Sequence, residues 1–372
     1  MSLCQKTADF LLECMPFDLR TITKKIVENK RLDRQEGLAL LAHEDALSVA
    51  RLADYKRKQV ARDIVYFANT LYIHPTNLCE LSCPMCSFYA KPGWKTAWFL
   101  TSEQIEEKIR ASLHKNLTEI HIVGGLWRGC SLDYYKDVFL RIKAIDPNLH
   151  IKALTPVEYD FLAKQHGITV EEVFDLMMSW GLGSLPGGGA EILVEEIRKK
   201  IAPGKITSNE YLNVHRIAHK KGLRSNITML FGHIEEHSDI ITHLEKVRAL
   251  QDETHGFQTF VPLKYHVENN ALGKRKERLK PKDVRSIYAV SRLMLDNIRN
   301  LKVLWNYVGM EEACTILNYG ANDISATQQD EKIITMAGGI QVKMSEDLLC
   351  EMVSKEGRIP KKIHSGYNYD ND

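Results

Sequence analysis

Cys79, Cys83 and Cys86 are separated by three and then two residues in Cys79-Glu-Leu-Ser-Cys83-Pro-Met-Cys86. Extended chain reaches at most about 3.3–3.6 Å per residue, so gaps this short can wrap three thiolates around three corners of one iron–sulfur cube. A fourth iron is then left without a protein sulfur, open to a small chelating ligand. Cluster plus S-adenosylmethionine in that arrangement is a route to radical chemistry. Structural zinc is the alternative, although zinc usually takes two Cys-x-x-Cys knuckles or a Cys/His partner pair, and no second such pair follows. A ferredoxin-type carrier supplies four cysteines per cluster, whereas Cys4, Cys14, Cys130, Cys314 and Cys350 are scattered singly and read as small hydrophobes. Disulfides are not expected in a chain with no secretory segment.

Other residues could serve the same site. Gly124-Gly125 ends an expected strand, where a bare backbone could approach a ligand's carboxylate or ammonium or simply make a tight turn. In Pro186-Gly-Gly-Gly-Ala-Glu191 three glycines make room, and Glu191, expected at a helix start, could face a cavity as ligand or proton handler. The run is not a phosphate loop, since Lys-Ser/Thr is absent after it. Asn226 and Thr228 alternate with apolar residues and share one strand face; a buried amide is costly without partners, so Asn226 is either satisfied by backbone or kept for a polar ligand. His233 and His266 fall just past strands, as structural histidines or catalysts. The spacing in Gly232-His-Ile-Glu-Glu-His237 lacks the helical zinc arrangement. Arg224, Lys264 and Arg292 are candidate cations for a dianionic substrate, and the basic run at 274–278 reads as a solvated loop.

These residues need a scaffold that gathers them. Residues 7–68 show helical periodicity, with Phe10, Leu11 and Cys14, then Ile22 and Ile26, at three- and four-residue steps. Short apolar runs then alternate with amphipathic ones, the pattern of βα units on a parallel sheet. Strands are expected at 70–74, 119–123, 150–154, 183–185, 226–231, 257–262 and 303–307, with helices between them. The fold class is therefore α/β, a (β/α) barrel, complete or partial, with an N-terminal helical cap and C-terminal helices. The expected division is 1–65 for the cap, 66–310 for the barrel and 311–372 for a helical extension packed on it. The cysteine loop, following the first expected strand, sits at the C-terminal mouth, where barrel enzymes build their sites. The tail at 368–372 is expected to fray.

Fifty basic and forty-eight acidic residues leave a formal charge of +2, which gives no bulk electrostatic case for nucleic acid or a membrane surface. No apolar stretch approaches the about twenty residues that span a bilayer. A cytoplasmic protein, with reduced thiols able to hold a cluster, is the expectation.

The cysteine spacing and the order of these loops resemble the radical S-adenosylmethionine superfamily and, within it, the menaquinone-by-futalosine and deazaflavin-forming group, nearest the aminofutalosine synthase family. The resemblance runs from about Leu32 to Gly357. It rests on Pro75-Thr-Asn-Leu-Cys79, Val123-Gly-Gly-Leu126, Pro186-Gly-Gly-Gly-Ala-Glu-Ile192, Thr228-Met-Leu-Phe-Gly-His-Ile-Glu235, Leu250-Gln-Asp-Glu-Thr254, Gly256-Phe-Gln-Thr-Phe260 and Ser291-Arg-Leu-Met-Leu-Asp-Asn297. The glycine-rich turn is shared with the cyclase acting later on that route; the last three stretches favour the synthase. Met85 where an aromatic residue is common, Val267 where proline is expected, and Trp127-Arg128 in place of His-Pro depart from the pattern. None removes a ligand.

The resemblance implies a [4Fe–4S] cluster on Cys79, Cys83 and Cys86, and S-adenosylmethionine as a co-substrate. It implies Gly124 and Gly125 at its methionine end and Phe88, Thr155 and Glu158 at its adenosine. Glu191 and His233 are the implied catalytic residues, and Asn226 and Arg292 the substrate contacts. The implied reaction adds a 5′-deoxyadenosyl radical to the enol ether of 3-[(1-carboxyvinyl)oxy]benzoate, giving 6-amino-6-deoxyfutalosine, methionine and bicarbonate. The implied electron donor is a reducing protein such as flavodoxin or ferredoxin. The second reading is the hydrogen-abstracting dehypoxanthine futalosine cyclase, and the third a non-catalytic iron–sulfur or zinc protein.

Overall fold

A computed structural model describes residues 3–273, 279–325, 330–340, 344–363 and 367, with side chains from residue 8 onward. The basic run at 274–278 and the tail at 368–372 lie outside the described residues, as does the side chain of Cys4.

Among the described residues ten strands form one all-parallel sheet that curls into a partial (β/α) barrel. They are β1 (Ile64–Phe67), β2 (Thr70–Ile73), β3 (Glu119–Ile122), β4 (His150–Ala153), β5 (Leu182–Leu185), β6 (Arg224–Phe231), β7 (Phe257–Lys264), β8 (Asn300–Val303), β9 (Asp323–Ile324) and β10 (Ile359–Lys362). The spatial order is β10-β1-β9-β8-β7-β6-β5-β4-β3-β2. Parallel neighbours need crossover connections, and from β2 to β8 these carry helices such as Ser102–Ser112, Leu132–Ile145, Ser208–Lys220 and His237–Thr254. Threonine-led capping boxes start several of them, at Thr101/Gln104, Thr155/Glu158, Thr169/Glu172 and Thr207/Glu210.

Side chains alternate faces along each strand, and the register turns that alternation into layers. Leu71, Ile120 and Ile151 lie side by side on β2, β3 and β4, as do Tyr72, His121 and Lys152. The first row is buried against the helices; the second lines the interior. Thr70 and Glu119, Asn226 and Thr228 on β6, and Lys302 on β8 also line the interior.

The first helices clad the outside of the barrel, and no described residue before Ala68 lines the cavity. Arg31 pairs with Asp252 and Asp296, and Arg34 with Glu245. A methyl on Gly37 would stand 2.9 Å from side-chain atoms of Ile241 and Met294, so the helix Arg34–Ala42 lies tightly against two outer helices, His237–Thr254 and Pro281–Met294.

The structure adds three strands, β1, β9 and β10, to those expected. The cysteine loop consequently follows the second strand, β2, rather than the first. β9 is only two residues long, too short to show a period, and β10 is an edge strand containing Pro360, where a ladder tolerates proline. The strand expected at 303–307 is instead β8 at Asn300–Val303 followed by the short helix Trp305–Val308; a short apolar run does not distinguish strand from helix by periodicity. The sheet draws strands from all three sequence segments, since β1 crosses the 65/66 boundary and β9 and β10 come from beyond 310. We keep the three-part division as a proposal about sequence segments, with one continuous sheet through them.

Candidate active site

A cavity of about 320 Å³ opens inside the curled sheet toward the C-terminal strand ends. Cys79, Cys83 and Cys86 share its wall with Phe88, Gly124, Gly125, Thr155, Glu158, Glu191 and Asn226. The structure thus brings together ten of the twelve site residues expected from sequence.

The cysteine loop is fixed mainly through its backbone. The Cys79 N–H donates to Ala90 O at 3.1 Å, the Met85 N–H to Ile201 O at 3.3 Å, and Pro84 O accepts from Leu272 at 3.0 Å. The Lys91 ammonium reaches under the loop and donates to the carbonyls of Cys79, Glu80 and Leu81 at 2.9, 2.9 and 3.1 Å. Asn77, at the loop's entry, accepts from Trp98 N and donates to Thr96 O, each at 2.9 Å.

Gly125 is needed for close approach: a methyl there would lie 2.1 Å from Leu78 O. Its amide donates to Thr76 O at 2.9 Å, and that of Gly124 to the Glu158 carboxylate at 3.0 Å. Both amides are committed within the protein, so a ligand would meet this pair through carbonyl oxygens. Glu158 also accepts from Thr155 N at 2.7 Å. Burial pushes the Glu158 carboxyl up to about 7, against the pull of these backbone donors. Phe88 packs edge-on against His74 and Trp98, each at 5.4 Å between ring centres.

Glu191 departs from expectation in its local setting. The helix begins at Glu195, and Glu191 stands before it in a turn with φ +48°. Its carboxylate meets Lys205 at 2.5 Å. Burial alone would raise its pKa, but the Lys205 charge and hydrogen bond outweigh that and hold it below the ordinary value. The same segment packs on the cysteine loop: Ile201 accepts from Met85, and Gly204 lies close to the Leu81 side chain.

Two expected site residues lie elsewhere. His233 is fully buried, with Nε2 at 3.1 Å from Leu230 O and Nδ1 accepting from Ile234 N at 2.7 Å and 3.0 Å from Glu235. It is not on the cavity wall. Arg292 sits on the outer helix Pro281–Met294 and donates to the carbonyls of Gly320, Ile298 and Arg299 and to Asn322 Oδ1. Arg224 opens β6, at the end opposite the mouth, and is exposed. Lys264 and His266 do line the cavity.

Sequence reasoning missed Lys91, Lys205, Glu331 and the interior charges Glu119, Lys152 and Lys302. Lys152 meets Glu119 at 2.6 Å, Lys302 meets Asp323 at 3.3 Å, and Thr70 donates to Glu119 at 2.8 Å. The polar alternation that exposed Asn226 and Thr228 is equally present in Thr70-Leu-Tyr72, Glu119-Ile-His121 and Lys152, and could have found them.

The donor set fits an iron–sulfur cluster. Three free thiols face one cavity, and the Phe88 amide donates to Cys86 Sγ at 3.4 Å. Burial pushes the Cys83 thiol up to about 11 and raises Cys86 as well, so binding metal there must displace two tightly held protons.

Residues 73–247 match the family model for the radical SAM superfamily, and residues 254–372 match the CofH/MqnC C-terminal region. Aminodeoxyfutalosine synthase of Thermus thermophilus is 33% identical over 91% of this chain and 92% of its own length. The chain belongs to the radical S-adenosylmethionine superfamily. Its cofactors are accordingly a [4Fe–4S] cluster and S-adenosylmethionine, and it is an enzyme of radical type. Aminodeoxyfutalosine synthase of Streptomyces coelicolor is also 33% identical, over 94% of this chain and 93% of its own. A 5-amino-6-(D-ribitylamino)uracil–L-tyrosine 4-hydroxyphenyl transferase of Methanoculleus marisnigri is 34% identical over 88% and 90%. Among solved structures, methylornithine synthase superposes with a TM-score of 0.72 at 15% identity, covering 91% of this radical SAM chain and 96% of its own. The [FeFe]-hydrogenase maturase HydG gives 0.75 at 15% identity, covering 96% and 79%. At that identity the likeness is one of fold. No helix among the described residues is long and apolar enough to cross a membrane.

Proposed function

We propose that this radical SAM enzyme is an aminodeoxyfutalosine synthase. It would join the 5′-deoxyadenosyl group of S-adenosylmethionine to 3-[(1-carboxyvinyl)oxy]benzoate, with water, giving 6-amino-6-deoxyfutalosine, methionine and bicarbonate. The observation that carries the reading is full-length similarity to two synthases, at 33% identity, joined to a cavity in which the three cysteines share a wall with Glu191, Asn226 and Lys264.

In this reading Cys79, Cys83 and Cys86 hold the cluster and leave one iron for the amino-acid end of S-adenosylmethionine. When bound, the pair supplies a one-electron reductive cleavage at the sulfonium. The chain's own residues do the rest. Lys91 and Ala90 tie down the backbone of the cysteine loop, so its path does not depend on the metal. Glu158 ties the Gly124 turn to the start of the helix Pro156–His166, setting the wall beside Thr155, our adenosine contact with Phe88. Leu81, Val157, Leu230, Val261, Leu263 and Leu304 make much of the remaining surface apolar, which excludes water and limits stray hydrogen donors near a reactive carbon. In this reading the Glu191 carboxylate, kept ionised by Lys205, would accept from a ligand's ammonium or hydroxyl at the mouth.

The tyrosine transferase is the second reading, favoured by relatives at 34% identity over comparable lengths; the hydrogen-abstracting cyclase is the third. The deciding experiment incubates reconstituted enzyme with dithionite, S-adenosylmethionine and each candidate substrate, followed by mass spectrometry. An adenosine-containing adduct from the enolpyruvyl benzoate supports the synthase. Free 5′-deoxyadenosine as the main product, with tyrosine or dehypoxanthine futalosine consumed, overturns it. Cys83→Ala is expected to lose both the brown cluster absorbance and all product.

A further inference from the structure

Among the described residues four lysines line the cavity: Lys152, Lys205, Lys264 and Lys302. Three carry their own counter-charge, in Glu119 at 2.6 Å, Glu191 at 2.5 Å and Asp323 at 3.3 Å. The ammonium of Lys264, the last residue of β7, has neither an ion pair nor a hydrogen bond among the described residues. The remaining carboxyls on the wall are already occupied. Glu158 accepts from Gly124 and Thr155, and Glu331 accepts from Ile333 and Ile334 at 2.9–3.1 Å. The Lys264 ammonium is therefore the one lysine head group on this wall, among the described residues, with no carboxylate paired to it.

A second, independent observation lies on the adjacent strand. β7 and β8 pair through Thr259 with Asn300 and Phe260 with Leu301, so the two chains leave the sheet side by side, β7 at Lys264 and β8 into the short helix that holds Asn306. Asn306 is 3% exposed and lines the same cavity. Among the described residues its side-chain amide makes no hydrogen bond: Oδ1 is buried without a partner and the N–H bonds are uncommitted. Buried amides are ordinarily satisfied. The uncommitted Asn306 N–H and the uncommitted ammonium, on one cavity wall, are donors for an anion, and a carboxylate has two oxygens with which to meet them, while Asn306 Oδ1 is left to accept from the ammonium or from water.

We propose that Lys264 and Asn306 form the subsite for a carboxylate of the organic substrate. The ammonium carries the charge and the Asn306 N–H gives the second hydrogen bond. Which carboxylate rests on the synthase reading: it is the ring carboxylate of the enolpyruvyl benzoate. The enol-ether carboxylate departs as bicarbonate, whereas the ring carboxylate is the same in substrate and product and can be gripped throughout. Such a grip is uniform binding, so its loss should raise KM while leaving kcat nearly unchanged.

The test is equilibrium binding to reconstituted enzyme without reductant, so that no turnover is needed. The probes are 3-[(1-carboxyvinyl)oxy]benzoate and 1-carboxyvinyl phenyl ether, which lacks the ring carboxylate. Lys264→Met should weaken the first by about 10- to 150-fold, the range of a charge-assisted hydrogen bond, and leave the second within about twofold. Lys264→Arg should recover most of the loss, and Asn306→Leu should show a smaller loss of the same selectivity. Cluster absorbance and thermal midpoint establish that each variant is folded and loaded; if Lys264→Met does not load, Lys264→Gln and Asn306→Leu carry the comparison. Equal weakening of both probes, or of neither, overturns the subsite. If wild-type enzyme does not bind or convert the benzoate, the synthase reading fails separately, and L-tyrosine against tyramine becomes the probe pair. Selective loss of tyrosine in Lys264→Met then upholds the carboxylate subsite, and its absence overturns it.

Discussion

Gly125→Ala probes how the cysteine loop is held. The backbone at Gly125 is not left-handed, so a side chain is excluded by space alone. A methyl group would stand 2.1 Å from Leu78 O, 2.8 Å from Leu78 C and 3.1 Å from Cys79 Cβ. Carbon and oxygen in close contact sit about 3.3–3.6 Å apart, so the two segments must separate by roughly 1 Å or more. Two of the three contacts are backbone, and no change of rotamer relieves them. Separation stretches the hydrogen bond from Gly125 N to Thr76 O and carries Cys79 with it. Overpacking of this kind costs about 1–3 kcal/mol, and the weakened hydrogen bond about 1 kcal/mol more. At the site, a displacement of about 1 Å can cost about 10²-fold in rate. Iron per protein after anaerobic reconstitution, the thermal midpoint of the apoprotein and product formation should all fall. Gly188→Ala is the milder comparison, since its methyl meets only Thr155 Cγ2, at 3.1 Å, and it should cost less than half as much stability. Wild-type iron content and an unmoved midpoint in Gly125→Ala would refute close approach as the reason for this glycine.

The buried charges supply further expectations. Lys205→Met strands the Glu191 carboxylate and should destabilise the apoprotein by about 3–5 kcal/mol, with much of the loss recovered in Lys205→Met/Glu191→Gln, read by denaturant midpoints. Because Lys205 holds the Glu191 pKa below its ordinary 4.5, the pair's contribution is present above that pH and lost as pH falls through the lower, folded-state value, which acid titration of the two variants checks. Burial pushes Glu331 the other way, to about 7; the folded state then holds the proton longer, so stability falls as pH rises from about 4.5 to about 7, and Glu331→Gln should flatten that slope in thermal scans. Arg292→Met should destabilise strongly, leaving the acceptors on Gly320, Ile298, Arg299 and Asn322 short of a donor, while in loaded protein KM for the enolpyruvyl benzoate stays within about twofold.

The cysteines were legible because covalent spacing alone limits how far apart three thiols can be, and the barrel because apolar strands alternated with amphipathic helices over most of the chain. What sequence order leaves open is which way a residue faces. Arg292 and His233 both follow or flank barrel strands, yet one is turned outward under Gly320 and the other has both ring nitrogens engaged locally. Lys205 could not be paired with Glu191 from order, since the 14-residue separation is closed only by the positive φ of Glu191 and the helix Glu195–Ile201 between them. β9, at two residues, has no periodicity to read and is held by Tyr66 and Lys302 from strands far away in sequence.

The glycine run shows how one pattern supports opposite physical readings. Three consecutive glycines suggest slack, room made for a ligand at the cost of ordering a flexible segment. In the folded chain the first of them is forced by contact: a methyl on Gly187 would lie 2.1 Å from Asn226 O, on the neighbouring strand. Gly187 O in turn accepts from Thr228 at 2.9 Å and from Tyr211. Gly189, at φ +85°, lies against Val157, with a methyl there 2.8 Å from its side chain. Only Gly188 has an ordinary backbone and a single neighbour. The run is therefore a tightly packed turn, pinned to β6 on one side and to the helix Pro156–His166 on the other, and that rigidity lets it deliver Glu191 to the cavity wall in a left-handed conformation. A loose loop could not hold a carboxylate there against the cost of burial, and Lys205 completes what the turn begins.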